Sequence, residues 1–414
     1  MIKALAPVAA LLISVSILLT GQGLQGTLLP VRASLEDFST VSIGAMGAAY
    51  FFGFTIGCLR GGELMRRVGH VRVFLAMSAL ASAAPLLHGL IIQPIVWGSL
   101  RMLTGFCFAV LYVVIESWLN ERASNENRGI IFSSYAMITL TVMAAGQMMT
   151  LLYEPTGLQL FIIASVLVSI GAVPVALSTS PIPEQPLAVA VDVKRLFEIS
   201  PSGAFGCLVA GLANGSFWGL AAVFAANLGD DTSFAAWFMT AVVIGGAIGQ
   251  WPLGMLSDVA GRRKVLIAVS VAAASVGMAL FLLAPTLGFL SIILLGACWG
   301  GLAFPLYTIA VAYTNDFAEP GEYVTVSGGL LLMYGIGATI GPFLASALMT
   351  LQRPSGLFLF TAIVHVTLIS YVTIRFIRRR KHAKHQIAFG DALSATQTAS
   401  PIFEEDIHPQ PVDR

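Results

Sequence analysis

Three kinds of side chain interrupt the long apolar stretches of this chain: a guanidinium at Arg101, a carboxyl at Glu116, and amides at Gln22, Gln25 and Asn214. Arg101 is the one Lys or Arg well inside an apolar run. Placing such a cation at a bilayer centre costs about 2.5–3.5 kcal/mol on insertion scales, so it should face a polar interior, where it binds an anion or controls a proton site. The competing reading is a side chain that snorkels to the nearer surface from about two turns inside its helix. Glu116 follows on the same helix, about 60° away in azimuth and roughly 22 Å away in height. The two share a face without touching, and Gly105, Phe108 and Tyr112 between them form a stripe able to line a cavity. Desolvation disfavours an ionised carboxyl, which makes Glu116 the candidate proton carrier. The alternative is an interfacial carboxylate tied to Arg122 or Arg128.

Gln22 and Gln25 lie one turn apart in Gly-Gln-Gly-Leu-Gln-Gly, and Asn214 and Trp218 lie one turn apart in Ala-Asn-Gly-Ser-Phe-Trp-Gly. An amide inside a membrane span must find a partner, in a bound solute or in a neighbouring helix. His88 and His365 are isolated and read as packing residues. The four cysteines, Cys58, Cys107, Cys207 and Cys298, all fall in apolar runs and read as small buried hydrophobes. No phosphate-binding loop, no Ser-His-Asp arrangement and no metal-ligand spacing is present, so no enzyme, metal or cofactor is expected. Work against a gradient must then draw on another gradient or on the solute itself.

The elements that position these groups are membrane helices. Of 414 residues, 57% are hydrophobic and 10% charged, against about a quarter charged in soluble domains. A net charge of +1 leaves no basic face for nucleic acid. A span needs roughly 20 apolar residues, and twelve runs qualify, at about 6–29, 41–60, 72–92, 95–118, 130–152, 158–178, 202–226, 234–256, 265–284, 287–313, 323–350 and 355–377. The first is read as a span rather than a signal sequence, because no clean small-residue cleavage site follows it. A stretch at 180–201 holds Pro181, Pro183, Pro186, Lys194 and Arg195 and reads as a linker between an N-terminal bundle, 1–179, and a C-terminal bundle, 202–377. Lys3, Arg60, Arg66, Arg67, Arg72, Arg122, Arg128, Lys194, Arg195, Arg262, Arg263, Lys264 and the cluster from Arg375 to Lys384 fall on one side, with Arg32 and Arg353 on the other. The positive-inside rule makes the first side, and both termini, cytoplasmic. The remainder, 378–414, lacks periodicity and reads as a disordered cytoplasmic tail.

The halves repeat. Gly-Met-Leu-Ser-Asp-Val-Ala-Gly-Arg-Arg-Lys from Gly254 has a diverged copy, Gly-Glu-Leu-Met-Arg-Arg-Val-Gly-His-Val-Arg, from Gly62, 192 residues earlier. Leu111-Tyr112 matches Leu306-Tyr307 and Gly105 matches Gly300, both at 195 residues. A short loop insertion accounts for the difference.

Six plus six spans, cytoplasmic termini, a central linker and this Gly-x-Leu-x-Asp-x-x-Gly-Arg-Arg-Lys turn together resemble the major facilitator superfamily over nearly the whole chain. Gly69-His70-Val71-Arg72 with the stretch Gly335 to Pro342 resembles its YcaD-like bacterial branch. The resemblance implies an all-α fold of two pseudo-symmetric six-helix bundles that rock about a midplane site. It places Gln22, Gln25, Arg101, Tyr112, Asn214, Trp218 and Tyr307 on the spans that line the cavity, and so on the solute. Arg101-x-x-x-Gly105 resembles the family's Arg-Gly signature, which implies proton coupling through Arg101 and Glu116. It also implies a cytoplasmic gate at Gly62, Arg66, Gly69, Arg72, Gly254, Asp258, Gly261 and Arg262. In the first copy Arg66 stands where the motif has Asp, so an inverted latch with Asp316, Glu319 or Glu322 is expected. The Gly-Pro of the antiporter signature is absent, since Gln147 follows Gly146.

The expectation is a monomeric secondary active transporter of the bacterial inner membrane. It moves a small organic solute by alternating access with proton coupling, its partners being the solute, lipid and protons. A non-transporting sensor or scaffold on the same fold, and a drug-type proton antiporter, are the alternatives.

Overall fold

The computed structural model describes residues 8–123, 128–177, 192–229, 233–319 and 322–378. Lys3, most of the linker and the tail beyond Arg378 lie outside them. Among the described residues the chain is all helix, with twelve helices long and apolar enough to cross a membrane. They are α1 (Ala9–Leu35), α2 (Thr40–Val68), α3 (His70–Leu90), α4 (Pro94–Arg122), α5 (Arg128–Met148) and α6 (Gln159–Gly171, continued by Val173–Ala176). After the linker come α7 (Pro201–Ala226), α8 (Ser233–Ala260), α9 (Arg262–Leu283), α10 (Phe289–Ala303, continued by Pro305–Asn315), α11 (Tyr323–Leu351) and α12 (Gly356–Arg378). The break in α10 falls at Pro305, whose missing N–H cannot close the turn. All twelve expected runs are found, most of them longer than expected, because polar residues at their ends continue the helix beyond the apolar stretch. The linker is not wholly irregular: Val193–Ile199 is a helix, capped by the Asp192 carboxylate accepting from the Arg195 backbone N–H at 2.9 Å.

By internal packing the chain forms two compact units, Met1–Ala188 with Trp218–Ile244, and Val189–Phe217 with Gly245–Arg414. The first is cored by Leu18, Phe74, Phe108, Leu111, Val114 and Ile115. The second centres on an aromatic group in which Phe217 stacks on Trp299 and both meet Phe304 edge-on. Large apolar side chains such as Trp251, Ile95 and Leu351 face outward, as lipid-contacting positions do.

The same packing device recurs in both units. A Cβ on Gly53 of α2 would strike the Met102 backbone of α4, and one on Gly57 would strike Phe106. Their counterparts in the second repeat, Gly245 and Gly249 of α8, meet Ala297 and Gly301 of α10 in the same way. Gly23 of α1 abuts Met143 of α5, and Gly215 of α7 abuts Ala338 of α11. Small residues permit this approach where no hydrophobic drive separates helix from lipid. Each pair keeps the register of the sequence repeat, so the duplication extends from motif to backbone packing.

Cys298 departs from expectation. Cys58, Cys107 and Cys207 are buried and free, whereas Cys298 is exposed on α10, an apolar thiol on an outward face.

Candidate functional site

A polar cluster lies in the first unit, where α1, α2 and α4 meet. Gly105 has no side chain, and a Cβ there would fall on the Tyr50 carbonyl oxygen, so α2 and α4 touch backbone to backbone. One turn before Gly105, Arg101 consequently reaches the Tyr50 ring, its Cζ 4.1 Å from the centroid. Arg101 therefore does not snorkel outward; it lies across an aromatic face, a favourable position for a desolvated cation. Gln22 of α1 closes the cluster. Its Nε2 donates to the Tyr50 hydroxyl at 2.7 Å and its Oε1 accepts from the Tyr112 hydroxyl at 3.0 Å. Phe54 packs edge-on against Tyr112. The expected stripe from Arg101 to Glu116 is thus partly corrected. Tyr112 carries a polar contact, but Phe108 is buried in the core and Gly105 sits in a helix contact.

Gln25 behaves differently from Gln22. It is buried, its Nε2 donates to the Gly21 carbonyl of its own helix at 3.3 Å, and its Oε1 has no hydrogen-bond partner. Glu116, only 2% exposed, lies deeper along α4 and shares a hydrogen bond with Tyr135 of α5. Gln147, where the antiporter signature would place Pro, accepts from the Thr240 hydroxyl at 3.4 Å. His88 and His365 are buried, with Nδ1 on the carbonyls of Ala84 and Thr361 one turn back, the geometry of packing residues.

In the second unit, Asn214 of α7 is buried with its Oδ1 unpartnered and its side chain against the Tyr334 hydroxyl. The Tyr334 and Tyr307 rings pack at 4.7 Å. Gln250 donates to the Thr308 hydroxyl at 2.9 Å. Trp218, one turn beyond Asn214, is half-buried. The structure therefore joins Arg101 to Gln22 through Tyr50 and Gln22 to Tyr112, and joins Asn214 and Tyr307 through Tyr334.

The two motif turns share one backbone. Gly69 has φ 93° and Gly261 has φ 90°, and among the described glycines only these two are positive. Such a conformation, with ψ of 153° and 120°, is open to glycine and strained for any residue with a Cβ. The side chains around the turns have diverged. In the second copy Arg262 opens α9, is 4% exposed, and pairs with Asp316 at 2.8 Å and Asp258 at 3.0 Å. In the first copy that place is taken by His70, whose Nε2 is 3.2 Å from the Ser117 hydroxyl. Arg66, in the place of Asp258, is half-buried and Arg72 is exposed. A Cβ on Gly62 would meet open space, and the Gly254 carbonyl accepts from Ser257 at 2.7 Å. Of the acids expected for Arg66, Asp316 is engaged by Arg262, and Glu322 by Arg195 of the linker helix at 2.6 Å. Glu322 also accepts from the Glu319 backbone N–H at 3.0 Å.

Sequence reasoning missed Tyr50, Tyr135, Tyr334, His70 and Arg195 as site residues. Tyr50 stands in Ala-Ala-Tyr-Phe-Phe-Gly-Phe and reads as one more aromatic. The signal available was Gly105: a small residue one turn from a lone membrane cation requires a close neighbour. Among the described residues no three His, Cys, Asp or Glu side chains come together to hold a metal ion.

Comparison with known proteins agrees with this architecture. A family model described as Major Facilitator Superfamily matches residues 203–407, and one described as Sugar (and other) transporter matches 12–189. A protein of Escherichia fergusonii named as an uncharacterized MFS-type transporter YcaD is 27% identical over 384 residues, covering 92% of this chain and 98% of its own. The protein of that name from Salmonella newport is 28% identical, covering 88% and 94%. Among solved structures, the nucleoside transporter NupG superposes with a TM-score of 0.76 at 14% identity, covering 91% of this chain and 100% of NupG. A bacterial homolog of the human lysosomal transporter Spinster gives 0.71 at 16% identity, with 89% and 96% covered.

Proposed function

Because the chain belongs to the major facilitator superfamily, in its YcaD-like branch, and is a multi-pass transporter of the bacterial inner membrane, we propose that it moves a small organic solute by alternating access, with protons coupled through Glu116. The single observation that carries the solute site is the Arg101–Tyr50–Gln22–Tyr112 cluster, polar groups brought together by three helices. Within the second unit, Asn214, Tyr334 and Tyr307 form a polar group of their own. Both termini face the cytoplasm, the repeats act as bundles at 1–179 and 202–377, and the Gly69 and Gly261 turns belong to the cytoplasmic gate.

Proton coupling rests on Glu116. A buried carboxyl that accepts from a tyrosine hydroxyl can load and release a proton as solvent reaches it, and its charge changes with each cycle. Tyr112, three residues from Ile115 and four from Glu116 on one helical face, links that position to the Gln22 bridge. The test is flux in liposomes under an imposed pH gradient. Wild-type protein should move a bound solute with a rate that follows the gradient, and Glu116→Gln should bind the solute but lose the dependence on the gradient. Gradient-driven flux unchanged in Glu116→Gln would remove the coupling role.

The gate is proposed with its charges redistributed. Glu322 is held by Arg195 and Asp316 by Arg262, and Arg66 stands in the first copy where the motif has an acid. Charge reversal at Arg66 should impair flux; an unimpaired Arg66→Asp would dispose of its part in the gate.

A further inference from the structure

We propose that the Arg101 cluster is a carboxylate site, so that the solute is a small organic acid; this rests on the transport reading and names its substrate class. The Arg101 Cζ lies over the Tyr50 ring, 4.1 Å from its centroid. A contact between the cation and the ring consumes none of the five N–H donors of a guanidinium as a conventional hydrogen bond. Among the described residues no carboxylate pairs with Arg101, and no side-chain hydrogen bond to a protein acceptor is made by it. A half-buried cation without a counter-charge carries a desolvation cost, and its fixed fork matches a planar carboxylate bidentately.

The hydroxyl beside it points the same way. Gln22 offers one donor and one acceptor to two tyrosines, so its amide can satisfy the proton of only one of them. With Tyr112 donating to Oε1 and Nε2 donating to Tyr50, the Tyr50 proton is directed away from the amide. Turning the amide over exchanges the tyrosines and leaves the count unchanged: one O–H still has to find its acceptor elsewhere. Neither hydroxyl makes a further side-chain bond among the described residues. The cluster is therefore a set of donors short of acceptors, with a positive charge at its edge. A carboxylate supplies what is missing, being acceptor-only and negative; a neutral amide or alcohol supplies an acceptor without the charge. His88, the other ionisable ring near Arg101, has Nδ1 turned onto the Ala84 carbonyl and contributes no negative charge.

The experiment uses the full chain in detergent micelles and matched probes in which a neutral amide replaces each carboxylate: benzoate and benzamide, lactate and lactamide, succinate and succinamide. Thermal stabilisation is read first and calorimetric affinity second. In at least one pair the acid should stabilise the protein and the amide should not. Arg101→Gln should then weaken acid binding by roughly ten- to a hundredfold, as loss of a charge-assisted pair does. Tyr50→Phe keeps the ring and should lose roughly three- to tenfold, as loss of one neutral hydrogen bond does. Should Arg101→Gln not survive purification, Tyr50→Phe and Arg101→Lys decide the matter between them, the lysine retaining charge but not the fork. No stabilisation by any of the acids, equal stabilisation by acid and amide, or undiminished acid binding in these variants overturns the proposal. Failure of the transport reading looks different: Arg101-dependent acid binding without flux of the same labelled acid in liposomes removes transport and leaves the site. Flux of a neutral solute that is indifferent to Arg101→Gln removes the site and leaves transport.

Discussion

At the scale of single residues, the physical consequences concentrate where a side chain is missing. Gly105 lets Tyr50 reach Arg101, so Gly105→Val should both lower thermal stability and abolish the affinity that Arg101 supports, by driving α2 from α4. The companion change Gly98→Val, at a glycine whose Cβ would meet open space, should leave both within error. Gly69 and Gly261 carry a different constraint. Alanine at either has room but the wrong sign of φ, and should cost about 1–3 kcal/mol in unfolding measurements. The sequence made these two glycines legible through the repeated motif. It hid Tyr50, because an aromatic ring with one hydroxyl looks the same in a string of phenylalanines whether it packs or binds.

At the scale of elements, two ion pairs tie helix ends together and differ in what they contribute. Arg262 is nearly fully buried between Asp316 and Asp258, whose side chains are 9% and 31% exposed. Removing the more buried partner leaves Arg262 only the more exposed Asp258, so Asp316→Asn should destabilise by about 3 kcal/mol, and Asp258→Asn by less than half of that. Thermal melts of the two variants side by side settle the order. The linker helix is held more lightly. Leu196 packs where Gly329 of α11 leaves space, and Arg195 pairs with Glu322 at the head of that helix. The Glu322 carboxylate first, and Glu198 after it, raise the Arg195 guanidinium above its ordinary value. Raised values stabilise below the unfolded value and are lost only as pH climbs past the folded one, far beyond neutrality, so this contact does not loosen between pH 6 and 9 through Arg195. Arg195→Glu should release the linker helix to proteolysis, and Arg195→Glu with Glu322→Arg should protect it again. No sequence pattern foretold the linker helix, which is too short for periodicity and is positioned by contacts made far along the chain.

At the scale of the whole molecule, a non-transporting sensor and a transporter make opposite demands on one cluster. A sensor keeps its output when Arg101 and Glu116 are changed and loses it with the tail, whereas a transporter loses flux with the residues and keeps it without the tail. Flux through Arg101→Ala and tail-deleted proteins separates them. Orientation has its own measurement. With cytoplasmic termini, a cysteine placed by Arg353→Cys is labelled by an impermeant maleimide added outside intact cells, and one placed by Lys264→Cys is not. The reverse pattern would invert the topology.

The twelve spans and the twofold repeat were decided by the sequence alone, because burying backbone in lipid admits long apolar helices and little else, and length and hydropathy are local properties. The repeat marked the turns at Gly69 and Gly261, and the structure shows that these two of the motif's glycines take positive φ. The tertiary structure alone decided what the polar residues do. Which of two glutamines bridges and which turns back on its own helix depends on the azimuth of α1 against α2 and α4, while Gly21 and Gly23 pack the same helix against α6 and α5. Spacing along a helix places a side chain on a face; what waits opposite that face is a property of the other helices.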